Sequence, residues 1–160
     1  MKKNLILFTE GHHQQTNMCK ISKVTIKDLP KINELENQLN LNETKLNFFN
    51  QTLSNENFKF IKLVLEKQII GFLQFSLNKS DCDIISIGII QKFQKMGYGK
   101  LLVEYLKSLN LKNIFVEVST YNINAIMFYY SLNFLKIGIR KDYYKKQRSD
   151  AILLKLENVN

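Results

Sequence analysis

From Ile21 onward the chain sorts its apolar residues into short runs whose period changes several times. ISKVTIKDL, residues 21–29, alternates apolar and polar positions and predicts a strand. Asp28 then precedes Pro30, the single proline of the chain, which signals a helix start. Ile32, Leu35 and Leu39 follow at helical spacing, and Leu46, Phe49 and Leu53 mark the buried positions of a second helical piece. From Asn57 the period shortens. FKFIKLVL, a turn at Glu66–Gln68, IIGFLQFSL, a polar break NKSDCD and IISIGII predict three strands in antiparallel meander order. GKLLVEYLKSLN is helical, with Leu101, Leu102, Tyr105, Leu106 and Leu109 on one broad apolar face. NIFVEVS reads as a strand and NINAIMFYYSLN as a helix with Asn122 at its cap. FLKIGIRKDYY and AILLKLE are two closing strands separated by the polar stretch KKQRSD. The predicted order is β, α, α, β, β, β, α, β, α, β, β, with no repeat and no linker.

Residues 1–18 lack this patterning and read as an N-terminal extension, with Met18 as an alternative start; the domain proper is expected over residues 19–160. The opening MKKNLILFTEG has an apolar run of Leu5–Phe8, too short for a secretory signal, and no stretch approaches a membrane span. A cytoplasmic protein with no membrane partner is therefore expected. At 160 residues, 45% hydrophobic and 23% charged, the chain has the composition of one globular domain rather than a disordered segment. Its net charge of +9 favours an acidic partner such as nucleic acid, a ribosome-associated surface or a polyphosphate, without choosing among them; a coding bias toward Lys, Asn and Ile gives the same charge. Cys19 and Cys82 stand far apart, without metal-ligand spacing, and read as ordinary free thiols in a reducing compartment. His12 and His13 sit together in a polar stretch with no third ligand nearby, so no metal site is assigned.

Two of the six glycines, Gly97 and Gly99, fall in SIGIIQKFQKMGYGKLL, between an apolar run and a leucine-rich stretch and beside Lys92, Lys95 and Lys100. That placement suggests a phosphate cradle. A Walker A loop does not fit, and a dinucleotide fingerprint would need a third glycine where Leu102 stands. Gln94-x-x-Gly97-x-Gly99 does fit the pattern Q/R-x-x-G-x-G/A, and on these residues the sequence resembles the GNAT N-acetyltransferase superfamily. Backbone N–H groups at a helix start favour a pyrophosphate, and missing side chains let the backbone approach it. The resemblance runs from about Ile21 to Leu156. VEVSTYNINAIMFYYSLNF is similar to L-E-V-R-x-x-N-x-x-A-I-x-L-Y-x-x-x-G-F of the bacterial ribosomal-protein alanine N-acetyltransferases. IRKDYYKKQRSDAILLKL is similar to the ending I-R-x-x-Y-Y-x-x-x-x-x-D-A-I-x-M-x-L of that group.

This resemblance implies an α/β (α+β) GNAT fold: a central mixed, mostly antiparallel sheet, splayed between its fourth and fifth strands and flanked by helices. It implies acetyl-CoA as cosubstrate, contacted by Ile87, Gly88 and Ile89 and by Gln94, Lys95, Met96, Gly97, Tyr98, Gly99 and Lys100, with Asn122 touching it as well as starting its helix. Glu117 becomes the general base, expected as a lone charge between Val116 and Val118 in a helix-covered strand. Composition leaves Phe128, Tyr129 and Tyr130 equivalent; the family spacing from Asn122 and Ala125 selects Tyr129 as general acid for the leaving thiolate. Acetyl transfer needs both a base for the amine and an acid for the sulfur. The expected acceptor is a protein α-amino group, ribosomal protein N-termini included. A small-molecule amine or a lysine side chain is the alternative, and an idle module that binds CoA or a ribosomal partner is the reading from another class. Tyr143 and Tyr144, with Arg140, Lys141, Lys145, Lys146 and Arg148, form a basic aromatic patch. The resemblance makes it a loop shaping a peptide entrance rather than a nucleic-acid surface. Three positions depart from the group: Asn133 replaces the glycine of L-G-F, Ser119 replaces the arginine after E-V, and there is no tryptophan.

Overall fold

Alternating β-branched and aromatic residues dominate the sheet strands, and the computed structural model describes residues 19–39, 50, 54–145 and 147–157. The N-terminal extension with His12, His13 and Met18, and the helix positions Leu46, Phe49 and Leu53, lie outside the described residues. The strands are β1 (Cys19–Lys23), β2 (Phe58–Leu65), β3 (Gln68–Asn78), β4 (Asp81–Ile89), β5 (Asn113–Ser119), β6 (Leu135–Tyr144) and β7 (Ser149–Glu157). The helices are α1 (Leu29–Gln38), α2 (Tyr98–Lys107) and α3 (Ile123–Ser131), with 3-10 turns at Ile26–Asp28 and Gln91–Phe93. One seven-stranded sheet runs in the order β1-β2-β3-β4-β5-β7-β6. It is mixed: β4 and β5 are parallel, while β1–β2, β5–β7 and β6–β7 are antiparallel. Pairing of β4 with β5 covers Asp81–Ile84 against Asn113–Val116 and then stops, although β4 runs on to Ile89 and β5 to Ser119. This is the expected parting of the fourth and fifth strands.

The chain gathers into two compact units. The first takes the described residues up to Gln74 together with Ser86–Leu102. Its core packs Ile32 and Leu35 of α1 with Val24, Phe60 and Phe72, the two rings meeting edge-on at 6.0 Å between centroids. The alternating run does not stay extended to Leu29. β1 ends at Lys23 because Thr25 and Asp28 close a cap, with Thr25 N–H and Oγ1–H both donating to Asp28 Oδ2 at 2.7 Å. Glu66 and Lys67, both at positive φ, make the two-residue turn between β2 and β3, as tight hairpins demand.

The second unit takes Phe75–Ile85 and Val103 onward. Its core includes Val103, Leu106, Ile114, Phe134 and Leu154, all essentially inaccessible. The polar break read over residues 78–83 narrows to a turn at Lys79–Ser80, with Lys79 at φ +55°. Asp81, Cys82 and Asp83 belong to β4, held by Lys112 N–H on the Ser80 carbonyl at 2.6 Å and by Asn113 Nδ2 on Asp81 Oδ1 at 2.8 Å. Cys82 is fully buried there, and burial pushes its thiol up to about 12, so it is packing rather than chemistry.

Candidate active site

In the first unit, β4 ends at Ile89 and the chain enters the glycine signature through a 3-10 turn. Gln94 Nε2 donates to the Ile89 carbonyl at 2.9 Å, which ties the signature back to the strand it leaves. Lys95 and Gly97 both take positive φ, +61° and +86°. A Cβ on Gly97 would meet nothing within 4 Å, so glycine is needed there for its backbone angle and the space beside it is open. The first ladder bond of α2 joins Leu101 N–H to the Gly97 carbonyl at 3.1 Å. Helix geometry therefore leaves the N–H groups of Gly99 and Lys100 for an acceptor outside the helix. Met96 is exposed, as are Lys92, Lys95 and Lys100, and Lys92 Nζ sits 4.8 Å from the Phe93 ring centre. Ile87 is half-buried; Gly88 and Ile89 are buried. A side chain on Gly88 would strike Phe72 and Leu39, so packing already requires a glycine there. Gly71 was not singled out by the sequence, yet it lies beneath this segment: a Cβ there would meet Ile89 Cδ1 and stand 2.7 Å from the Gly88 carbonyl oxygen.

In the second unit, an open cleft of about 560 Å³ lies over one face of the sheet, lined by Asp83, Phe115, Glu117, Arg140, Tyr143 and Tyr144 among others. Strand alternation turns Val116 and Val118 into the core and leaves Glu117 half-buried in this cleft. Glu117 does not stand alone. Arg140 Nη1 lies 2.8 Å from Glu117 Oε1, and the guanidinium also stacks over Tyr143, 5.0 Å from its ring centre. Hydrogen bonding to Glu117, then burial, pushes the Tyr143 phenol up. Tyr144 donates its hydroxyl to the Glu117 backbone carbonyl at 3.1 Å, and burial first of all pushes its phenol up to about 12. The patch expected in a loop thus places Arg140, Tyr143 and Tyr144 on β6, turned toward Glu117. Asp83, hidden in the supposed polar break, is a further carboxylate at the cleft. Loss of hydration, then the charges of Glu117 and Asp81, hold it above the usual carboxylate range. Ser119 is buried, with its Oγ 2.8 Å from Ser149 Oγ, and joins β5 to β7.

The helix that carries Tyr129 is fixed at both ends. Asn122 Oδ1 accepts from Ala125 N–H at 3.1 Å, so its capping role is filled while the side chain stays exposed. At the other end Asn133 takes φ +66°, Asn133 N–H donates to the Tyr130 carbonyl at 3.0 Å and Phe134 N–H to that of Tyr129 at 3.1 Å. These two bonds make a Schellman cap, and asparagine fills its left-handed position, which favours glycine or asparagine. The hydrophobic contact of that cap is Tyr129 against Phe134, 5.1 Å between ring centres, with Phe128 at the same distance on another side. Tyr129 is therefore buried, and burial, with Tyr144 contributing, raises its phenol well above the ordinary value.

The sequence profile of the Acetyltransferase (GNAT) family matches residues 26–134. The chain belongs to this family. It is 29% identical over 147 residues to the [ribosomal protein bS18]-alanine N-acetyltransferase of Haemophilus influenzae, covering 86% of this chain and 97% of that protein. In fold it matches the crystal structure of the ribosomal-protein-S18-alanine N-acetyltransferase from Escherichia coli, with a TM-score of 0.77 at 24% identity over 89% of this chain and 96% of that one. It likewise matches Arabidopsis thaliana NAA60 in complex with acetyl-CoA, with a TM-score of 0.75 at 14% identity over 87% and 98% of the two chains. This acetyltransferase uses acetyl-CoA, and its signature segment fits that cosubstrate: an open backbone at Gly97, N–H groups left over at the start of α2, and exposed lysines around them. Among the described residues no helix is long and apolar enough to cross a membrane, and no three His, Cys, Asp or Glu side chains gather as metal ligands would.

Proposed function

We propose that this acetyltransferase moves acetyl to the α-amino group of a protein N-terminus in the cytoplasm, with Glu117 as general base and Tyr129 as general acid. The observation that carries the reading is a half-buried carboxylate on a cleft, Glu117, with Tyr144 bonded to its backbone, together with a fully buried phenol at Tyr129. Acetyl-CoA, when bound, supplies the activated thioester. Gly97, Gly99 and Lys100 hold its pyrophosphate with backbone N–H groups, Gln94 fixes the loop that presents them, and Ile87–Ile89 and Asn122 supply further contacts. Glu117 takes a proton from the acceptor amine through water, so that the nitrogen is neutral when it forms the new amide. Tyr129 gives its hydroxyl proton to the departing sulfur. A buried phenol suits that task, because burial keeps it protonated where a thiol of pKa about 8.5 would ionise.

An α-amino group, with a pKa of about 7.7–8.0, yields its proton to a carboxylate more easily than a lysine at about 10.4. That difference favours the N-terminal acceptor. The names of the curated relatives make an N-terminal alanine of a ribosomal protein the first acceptor to try. Replacing Glu117 by Gln should lower turnover about 100-fold or more, the usual worth of a positioned base, while acetyl-CoA binding by calorimetry is unchanged. Turnover equal to that of the wild type would remove Glu117 from the mechanism.

A further inference from the structure

The end of β6 is irregular in a way that concerns Glu117. Arg140 pairs with Ala151 and Tyr144 with Ser149, so β6 takes four steps where β7 takes two. The surplus is a bulge, and Asp142 within it takes φ +50°. Asp150 pins the bulge from β7, accepting Asp142 N–H at 2.9 Å and Lys141 Nζ at 2.8 Å. In a regular strand successive side chains alternate faces, and Tyr143 would point away from both Arg140 and Tyr144. Here all three line the same cleft.

We propose that Arg140, set on the face of Glu117 by its pairing with Ala151 and braced by the Tyr143 ring that this bulge turns into the cleft, is a positioning residue that sets the orientation of the Glu117 carboxylate for proton transfer. The inference rests on the reading of Glu117 as the base. Arg140 reaches the carboxylate with one nitrogen at 2.8 Å, its guanidinium lies over the Tyr143 ring, and Tyr143 lines the cleft beside the same carboxylate, which pushes its phenol up. Tyr144 holds the backbone of Glu117 from the same strand end. A flexible glutamate on a half-open cleft samples several rotamers; a guanidinium stacked on an aromatic ring offers one fixed partner. Arg140 itself is half-exposed, with 55% of its side chain accessible, and an exposed ion pair adds little to stability. Its effect therefore falls on the geometry of the base rather than on the fold.

The test is a double-mutant cycle on turnover with acetyl-CoA and a free N-terminal alanine peptide, using Arg140→Met, Arg140→Lys, Glu117→Gln and the Arg140→Met/Glu117→Gln pair. Misplacing a catalytic group by about an ångström costs on the order of 100-fold, so Arg140→Met should lower kcat about 10- to 100-fold, with little change in melting temperature. Arg140→Lys, which keeps the charge and one donor but not the flat group that stacks on Tyr143, should recover part of the loss. In the Glu117→Gln background Arg140→Met should change the residual rate less than twofold. The carboxyl carbon signal of Glu117 in NMR spectra should move in Arg140→Met and return part of the way in Arg140→Lys, a readout that needs no acceptor. An equal loss from Arg140→Met in both backgrounds, or an unmoved Glu117 signal, overturns the positioning role alone. Wild-type turnover in Glu117→Gln overturns the base reading and this inference with it.

Discussion

Replacing Tyr129 by Phe removes one buried hydroxyl and nothing else of the ring. The edge contacts with Phe128 and Phe134, each 5.1 Å between centres, remain, so the Schellman contact that ends α3 survives. Losing a buried hydroxyl changes stability by about 1 kcal/mol. Losing a general acid lowers turnover by about 100- to 10,000-fold, or roughly 2.7–5.4 kcal/mol in the barrier. Activity and stability should therefore separate. A second signature comes from pH. Burial raises the Tyr129 phenol, so above pH ~10 the unfolded chain has lost this proton while the folded chain still binds it. With fewer protons on the unfolded state, stability falls as pH rises, by up to about 1.4 kcal/mol per pH unit for this one group. Between pH 9 and 11 the wild type should lose about 1.4 kcal/mol more than Tyr129→Phe in urea unfolding, because the other tyrosines titrate alike in both chains. Thiol release from acetyl-CoA in the presence of an acceptor peptide reads turnover at neutral pH. Equal alkaline losses would show that the phenol is not buried in solution, and wild-type turnover in Tyr129→Phe would remove it as the acid.

Gly71→Ala places a methyl group against the Gly88 carbonyl and the Ile89 side chain, and backbone cannot yield cheaply. A loss of about 1–3 kcal/mol is expected, seen as a melting temperature several degrees lower, together with weaker acetyl-CoA binding by calorimetry. Gly97→Ala meets no neighbouring atom but forces φ +86° on a residue with a side chain. That costs about 1–2 kcal/mol in the cradle, so acetyl-CoA should bind about 5- to 30-fold more weakly in the same titration.

Most of the fold was legible because its strands carry their own period. FKFIKLVL and NIFVEVS are β2 and β5 residue for residue, and the Asn133 turn fits the left-handed position that ends α3. The misses come from contacts that the alternation of apolar and polar positions does not report. Asp81–Asp83 reads as a polar break until parallel pairing with β5 and the Asn113 side chain hold it in β4. The alternation through Ile26 looks like strand until Thr25 and Asp28 cap it. Gly71 and Gly88 look alike in sequence, and what each glycine makes room for is visible only from the atoms around it. For the candidate site, the signature and the positions of Glu117 and Tyr129 came from motif resemblance. The arginine on Glu117 did not, because the register of β6 with β7 sets Arg140 on that face and a bulge beyond it turns Tyr143 in beside it.

The reaction proposed for this protein is acetyl transfer from acetyl-CoA to an N-terminal α-amino group. Incubating the protein with acetyl-CoA and two peptides, one with a free N-terminal alanine and one N-blocked with an internal lysine, tests it directly by mass spectrometry. One acetyl group on the free N-terminus, and none on the lysine peptide, is the predicted result. Acetylation of the lysine peptide alone, or of neither peptide while acetyl-CoA still binds, would contradict it.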